Sequence, residues 1–335
     1  MGARRESDPQ DLADRVQAGD RRALARAITL VESSRREDQP AANRLLELLA
    51  PHAGRSIRIG ITGVPGAGKS SFIEALGNHV IGQGHQVAVL AVDPSSSISG
   101  GSILGDKTRM ENLGRRPEAF IRPSPAGRTL GGVTRHTREA MLVCEAAGFD
   151  VVLVETVGVG QSETAVAEMT DMFVLLLLPG GGDELQGIKR GIMERADLIL
   201  VNKCDGAMQA AAARSAADYR HALRLLQPRS THWQVPVQTC SAHEGTGIAA
   251  AWEAIGRFRA ALTASGELAA GRATQARAWL WSEMAENLID SLRENRAMQE
   301  RVAAIEAAVA AGSAAPRVAA AELVRIFLNP GKAGP

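Results

Sequence analysis

Aromatic residues are scarce. Phe, Trp and Tyr make up 3% of the 335 residues, so Leu, Val, Ile and Ala must build the core. Cysteine is scarcer: Cys144, Cys204 and Cys240 lie far apart, with no C-x-x-C or Cys/His spacing, which argues against a disulfide framework or a zinc site. Neither charge dominates, with 38 Lys plus Arg against 37 Asp plus Glu, so no whole-chain field draws the protein to nucleic acid or an anionic membrane. The longest nearly uninterrupted apolar run, Met172 to Leu178, falls far short of the ~20 residues that cross a bilayer. The N-terminus holds arginines but also Glu6, Asp8, Asp11, Asp14 and Asp20, unlike an acid-poor transit peptide, and has no signal-peptide apolar stretch. Met-Gly begins the chain, yet position 6 is Glu, which speaks against myristoylation. The expectation is a cytoplasmic protein with no nucleic-acid or membrane partner.

What is present is an ordinary globular balance, 45% hydrophobic and 22% charged, in a length that suits one large domain with appendages. Before residue 55 the apolar residues fall at helical spacings: Leu12 and Val16, then Leu24, Ala27, Ile28 and Val31, then Leu45, Leu46, Leu48 and Leu49. From Ile57 the period changes. Strands are predicted at Ile57–Thr62, Val87–Val92, Ala119–Arg122, Val151–Glu155, Met172–Leu178, Leu198–Asn202 and Val235–Thr239. Several are continuous apolar runs, as parallel strands covered on both faces require. Helices are predicted between them at Ser70–Ile81, Val133–Ala147, Glu184–Arg195, Ala207–Leu226 and Ile248–Leu262. This alternation predicts an α/β fold, a mostly parallel doubly wound sheet with N-terminal and C-terminal helical extensions. The expected divisions are 1–54 for the N-terminal helices, 55–263 for the central domain and 264–335 for the C-terminal arm. In that arm Leu280, Met284, Leu288 and Leu292 share a helical face, which fits either an intramolecular core or a dimer contact.

Chemistry concentrates in a few segments. Gly63-Val-Pro-Gly66-Ala67-Gly68-Lys69-Ser70 follows a strand and opens a helix, the context in which G-x4-G-K-S cradles phosphates. Glycines let backbone N–H groups close around the phosphates, the helix N-terminus adds partial positive charge, Lys69 reaches the outer phosphates and Ser70 ligates Mg²⁺; Ser71 extends the cradle. Asn202-Lys203-Cys204-Asp205 follows another apolar strand. A carboxylate there accepts two hydrogen bonds from guanine N1–H and its exocyclic amine, a pairing adenine lacks, so Asp205 is the expected guanine selector. Thr239-Cys-Ser241-Ala242 completes the base pocket, with the Ala242 N–H as a contact. GTP or GDP with Mg²⁺ is the implied ligand set.

Asp150-Val-Val-Leu-Val-Glu155-Thr-Val-Gly158 occupies the metal-side strand, where many phosphate-loop proteins place an Asp. Glu155 is assigned to Mg²⁺ through water and Gly158 to a backbone N–H on the γ-phosphate. Asp93 closes another strand and Asp106 follows in a Gly/Ser-rich stretch; both fit metal-side carboxylates and both fit turn formers. Lys69, Glu155 and Asp106 are the expected catalytic set. No Gln directly follows Gly158, the next being Gln161, so slow intrinsic hydrolysis is expected. The glycine-rich loop Gly180 to Lys189 fits a helix start and a nucleotide sensor equally.

Together, the phosphate loop, Asp93-Pro-Ser-Ser, Gly105-Asp106-Lys-Thr-Arg-Met, Glu155-Thr-Val-Gly-Val-Gly-Gln161-Ser-Glu and Asn202-Lys-x-Asp resemble the MeaB/ArgK/MMAA family of phosphate-loop GTPases over nearly the entire chain. The Glu155 segment is the most specific part. The resemblance implies a GTP-dependent chaperone of adenosylcobalamin-dependent methylmalonyl-CoA mutase that gates cofactor delivery and protects or reactivates the mutase. It implies a homodimer formed through the C-terminal arm. It also implies switch regions at Asp93–Asp106, Glu155–Gln161 and Gly180–Lys189, with Gln161, Gln186 and Lys189 coupling nucleotide state to the partner. No Asp-x-His-x-x-Gly segment is present, so direct cobalamin ligation is not expected. Two alternatives share the phosphate loop. A nickel metallochaperone would display Cys/His clusters, which the scattered cysteines disfavour, and an arginine kinase would need an amino-acid site that the sequence does not display.

Overall fold

A computed structural model describes residues 8–92, 110–123, 130–156, 162–180 and 190–328. It divides into two compact units, Met1–Ala270 and Gly271–Pro335.

The first unit is built on seven parallel strands: β1 (Ile57–Gly63), β2 (Val87–Val92), β3 (Ala119–Arg122), β4 (Val151–Thr156), β5 (Met172–Leu177), β6 (Leu198–Val201) and β7 (Val237–Thr239). Their order is β3-β2-β4-β1-β5-β6-β7, every neighbouring pair parallel. The predicted strands and their direction are thus as the apolar runs require; β7 is shorter, because Val235 and Pro236 precede it and proline brings no N–H to a ladder. Ile59, Ile61, Leu153, Val174, Leu176 and Leu200 are almost fully buried, with aliphatic side chains supplying the core that rare aromatics could not.

Helices cover both faces. Three come first: α1 (Pro9–Gln17), α2 (Arg21–Val31) and α3 (Gln39–Leu49). Asp8 caps α1 by accepting from the Gln10 amide at 3.0 Å, and Asp20 caps α2 by accepting from the Arg22 and Ala23 amides at 2.8 and 3.1 Å. Their buried faces hold Leu12, Val16, Leu24, Ile28, Leu45 and Leu49, the residues whose spacing predicted them. Then follow α4 (Lys69–Ile81), α5 (Glu111–Gly114), α6 (Leu130–Ala146), α7 (Ser162–Ala167), α8 (Arg190–Met193), α9 (Gln209–Leu223) and α10 (Ile248–Ala264). The helix predicted at 184–195 is described only from Arg190 to Met193.

At the N-terminal ends of the strands, acidic residues fasten neighbours together. Asp150, Asp171 and Asp197 each immediately precede a strand, and each accepts a main-chain N–H from the adjoining chain: Gln86 at 2.8 Å, Arg58 at 2.9 Å and Phe173 at 2.9 Å. Glu145, with its side chain fully buried, binds Arg58 at 2.7 and 2.8 Å and also accepts from the Gly54 N–H and the Ser56 hydroxyl. Burial acts to raise the Glu145 pKa, but Arg58, Ser56 and Gly54 outweigh it and hold the carboxyl below its ordinary range.

The second unit is helical, taking in most of α11 (Glu267–Glu294), then α12 (Arg296–Ala310) and α13 (Pro316–Leu328). Met298, Ala319 and Ile326 are buried there. In α11 no residue is buried, and Leu280, Trp281, Met284, Leu288 and Ile289 are exposed. The chain alone therefore does not bury the face expected at 280, 284 and 288.

Candidate functional site

Because every strand runs the same way, the C-terminal ends of β1, β4, β6 and β7 lie along one edge of the sheet, where an open α/β fold presents its ligand loops. The residues from Gly63 to Ser71 form the turn from β1 into α4, and α4 begins at Lys69. Two glycines in this turn answer to particular constraints. A Cβ at Gly63 would stand 2.3 Å from the Leu176 carbonyl oxygen of β5. Gly68 has φ +86°, and a Cβ there would meet the Asn202 amide nitrogen at 2.7 Å. Gly66 also has positive φ, Ala67 is buried, and Ser71 is exposed at the helix start. The first turn of α4 leaves main-chain N–H groups without helical partners, which makes it an anion site.

Lys69 is 9% exposed and folds back over the loop, its Nζ donating to the Gly63 carbonyl at 2.9 Å and the Val64 carbonyl at 3.4 Å. Ser70 donates its hydroxyl to Glu155 Oε1 at 2.9 Å. This pairing is fixed by the register in which Ile61 of β1 lies beside Glu155 of β4. A hydroxyl and a carboxylate meeting at a phosphate loop are hard oxygen donors of the kind that Mg²⁺ selects. Beneath them, Thr156 donates its hydroxyl to Thr62 Oγ1 at 2.9 Å, both side chains almost wholly buried. Neither threonine has a role in the motifs read from sequence. The available signal is a hydroxyl near the end of each of two mainly apolar strands, immediately before Gly63 and immediately after Glu155.

The base-side segment follows β6. Asn202 is buried and spends its side chain on the protein: Nδ2 donates to the Ala67 carbonyl at 2.8 Å, and Oδ1 accepts from the Ala242 N–H at 3.1 Å. It thus ties the phosphate loop to the segment after β7. The Ala242 N–H, expected at the base, makes this bond here. Asp205 is partly exposed, and Ser241 donates its hydroxyl to Asp205 Oδ2 at 3.0 Å while its Oγ accepts from the Glu244 N–H at 3.1 Å. One Asp205 oxygen is thereby oriented. Lys203 is exposed, has φ +60°, and its stem would lie 3.9 Å from a Cβ on Gly68. A left-handed backbone at a lysine is uncommon and costs local strain. It is held by main-chain bonds on either side, Asn202 N–H to the Leu177 carbonyl at 2.8 Å and Cys204 N–H to the Cys240 carbonyl at 3.0 Å. Cys240 is buried, and burial, with Cys204 nearby, pushes its thiol up to about 12, so it carries no charge into the pocket.

The structure therefore brings Lys69, Ser70, Glu155, Asn202, Lys203, Asp205, Ser241 and Ala242 to one edge of the sheet. Asp93, Asp106, Gly158, Gln161, Gln186 and Lys189, together with most of the three expected switch regions, lie outside the described residues. Among the described residues no group of three or more His, Cys, Asp or Glu could hold a metal ion, and no helix is long and apolar enough to cross a membrane.

With this geometry in hand, comparison with known proteins places the chain. Residues 24–297 match the family model described as methylmalonyl Co-A mutase-associated GTPase MeaB. A putative GTPase of Caulobacter vibrioides is 56% identical over 320 residues, 96% of this chain and 98% of that protein. The mitochondrial methylmalonic aciduria type A homolog of Mus musculus is 49% identical over 319 residues, 92% of this chain and 77% of that protein. Among solved structures, that of an LAO/AO transport system kinase superposes with a TM-score of 0.75 at 40% identity, covering 98% of this chain and all of that one. Motifs, sheet order and likeness along nearly the whole length agree: the chain belongs to the MeaB family of methylmalonyl-CoA mutase-associated GTPases.

Proposed function

We propose that the protein binds and hydrolyses GTP as a chaperone of adenosylcobalamin-dependent methylmalonyl-CoA mutase, gating cofactor delivery and protecting or reactivating the mutase. The observation that carries this is a phosphate-and-base edge, Lys69–Ser70–Glu155 beside Asn202–Asp205–Ser241, in a chain matched to the mutase-associated family over residues 24–297. The name of the mouse relative, methylmalonic aciduria type A homolog, points the same way.

In this reading the main-chain amides of Gly66 to Ser70 and the Lys69 ammonium hold the phosphates, and Asp205, steadied by Ser241, selects guanine. Ser70 and Glu155 would hold Mg²⁺, Glu155 through water, with Asp93 and Asp106 as further carboxylates. The ion supplies charge neutralisation on the phosphate oxygens. Lys69 stabilises charge that develops on those oxygens during in-line attack by water, with Glu155 and Asp106 completing the catalytic set. Gly158 meets the γ-phosphate, and Gln161, Gln186 and Lys189 pass the nucleotide state to the mutase. Intrinsic turnover is slow in the cytoplasm and rises when the mutase binds. The exposed Leu280, Met284 and Leu288 face of α11 supports a homodimer formed through the arm.

Purified mutase added to the protein and GTP provides the test. The expected outcome is a nucleotide-dependent complex on a sizing column and faster release of free phosphate. Absence of both binding and rate change overturns the assignment to the mutase, whereas failure to release phosphate at all overturns the GTPase.

A further inference from the structure

At the opposite end of β6 from the base pocket lies a cavity of about 540 Å³, between the last turn of α9 and the chain that leads into β7. Its volume is in the range of small-molecule sites, and it is a recess about half open to solvent. Arg220 enters it from α9, Arg224 from the residue that caps the helix C-terminus, Arg229 from the following loop, and Leu223 and Trp233 supply apolar wall. Asp197, the strand-fastening acid before β6, and Glu194 also line it, so the arginines share the cavity with two acids.

The polar groups divide into committed and uncommitted. Asp197 accepts from the Phe173 N–H and lies 3.6 Å from Arg229, so it is engaged within the protein. Arg229 also donates to the Arg195 carbonyl at 2.9 Å, and Arg220 uses Nε and Nη2 on the Val237 carbonyl at 3.3 and 3.1 Å. Arg224 makes no side-chain hydrogen bond or ion pair among the described residues. All three arginines are exposed to water, and the N–H donors of each guanidinium that no protein carbonyl accepts are open to an incoming anion. Such donors suit a carboxylate or phosphate, which a planar guanidinium binds in paired bonds. Beside it, the half-buried Trp233 is pinned edge-on to Phe258 at 5.2 Å, with its N–H donated to the Asp197 carbonyl at 2.8 Å. A ring so fixed is a ready apolar surface with little ordering left to lose on binding.

We propose that this cavity is a second ligand site, separate from the nucleotide edge, for a small organic anion: an apolar or aromatic body ending in phosphate or carboxylate. Its acid end meets Arg224 with help from Arg220, and its body lies along Leu223 and Trp233.

Trp233 gives a local readout once Trp252, Trp279 and Trp281 are replaced by Phe, and calorimetry on the unaltered chain gives a second one free of those changes. Both are run with saturating Mg·GDP, so that the phosphate loop does not compete. Phenyl phosphate and benzoate are the probes, with inorganic phosphate as the acid end alone and benzyl alcohol as the body alone. At least one of the two organic anions is expected to bind saturably below about 1 mM, and each fragment about tenfold or more weaker. Arg224→Ala removes no side-chain hydrogen bond or ion pair among the described residues and is expected to weaken that anion about tenfold, with Arg224→Lys recovering part of the loss. The proposal is overturned if neither anion saturates up to about 10 mM, if either fragment matches the whole probe, or if Arg224→Ala binds unchanged.

Discussion

The two ends of the sheet treat their polar groups in opposite ways. At the N-terminal ends, Asp150, Asp171, Asp197 and Glu145 are consumed by the protein, each closing on a neighbouring N–H or on Arg58. At the C-terminal ends, Lys69 rests on loop carbonyls and Ser70 on Glu155, contacts that a phosphate and a hard cation can replace. One end is locked so that the other can exchange partners. A carboxylate ahead of a strand here ties neighbouring main chains together, whereas Glu155, inside the end of β4, meets the Ser70 hydroxyl of the phosphate loop.

Substitutions at the two ends should therefore fail differently. The largest effect is expected from Arg58→Ala, which strands the buried Glu145 carboxylate. It should cost about 3–5 kcal/mol in urea unfolding while leaving guanine preference intact. A loss of nucleotide selectivity in the folded fraction would break the contrast between the ends. Lys69→Ala is expected to do the reverse, lowering GTP turnover about a hundred- to a thousandfold with little change in unfolding midpoint. Asp205→Asn should shift preference from guanine towards xanthine by about 1–3 kcal/mol in competitive nucleotide binding; retained guanine preference would remove Asp205 from the selector role.

The smallest effect sharpens the comparison through pH. Burial raises the Asp197 carboxyl from 3.8 to about 6, with Arg229 and the Phe173 N–H pulling it only part of the way back. Between those values the folded chain keeps a proton that the unfolded chain has released. This group therefore favours folding most below pH 3.8 and loses that contribution as the pH rises through about 6. Asp197→Asn keeps an oxygen for the Phe173 amide without the charge. It is expected to flatten this part of the stability profile and to gain about 1–2 kcal/mol relative to the parent at pH 7. Denaturant midpoints at pH 4 and pH 7 decide it, an unchanged slope counting against the account.

The sequence made the chemical end legible and the structural end opaque, for physical reasons. Gly63 to Ser70 and Asn202 to Asp205 are contiguous, so spacing alone displays them, and the strands declare themselves through uninterrupted runs such as Met172–Leu177. Arg58 and Glu145 lie 87 positions apart, and nothing local marks their union. Asp150, Asp171 and Asp197 do share a local sign, an acid directly before an apolar run, but its meaning appears only when strand order supplies the accepted N–H. Asn202 illustrates the remaining gap. Its place in the base motif was plain, whereas its bonds to Ala67 and Ala242 depend on three loops meeting. The α11 stripe was legible as a helix face, yet its exposure becomes visible only in the folded chain.

The position of β1 in the middle of the sheet has a consequence for biosynthesis. β1 pairs only with β4 and β5, Ile57 beside Val151 and Ile59 beside Met172, while β2 waits for β3 and β4. A ribosome adding roughly 5–20 residues per second needs roughly 5–20 s to deliver the first of β1's partners. Until then the phosphate loop hangs from an unpaired apolar strand, and the nascent chain must keep Ile57, Ile59 and Ile61 from pairing with other chains. The nucleotide grip is encoded early and assembled late, so the growing polypeptide passes through a long interval in which β1, and the wholly apolar β2 after it, stand without their shared partner β4.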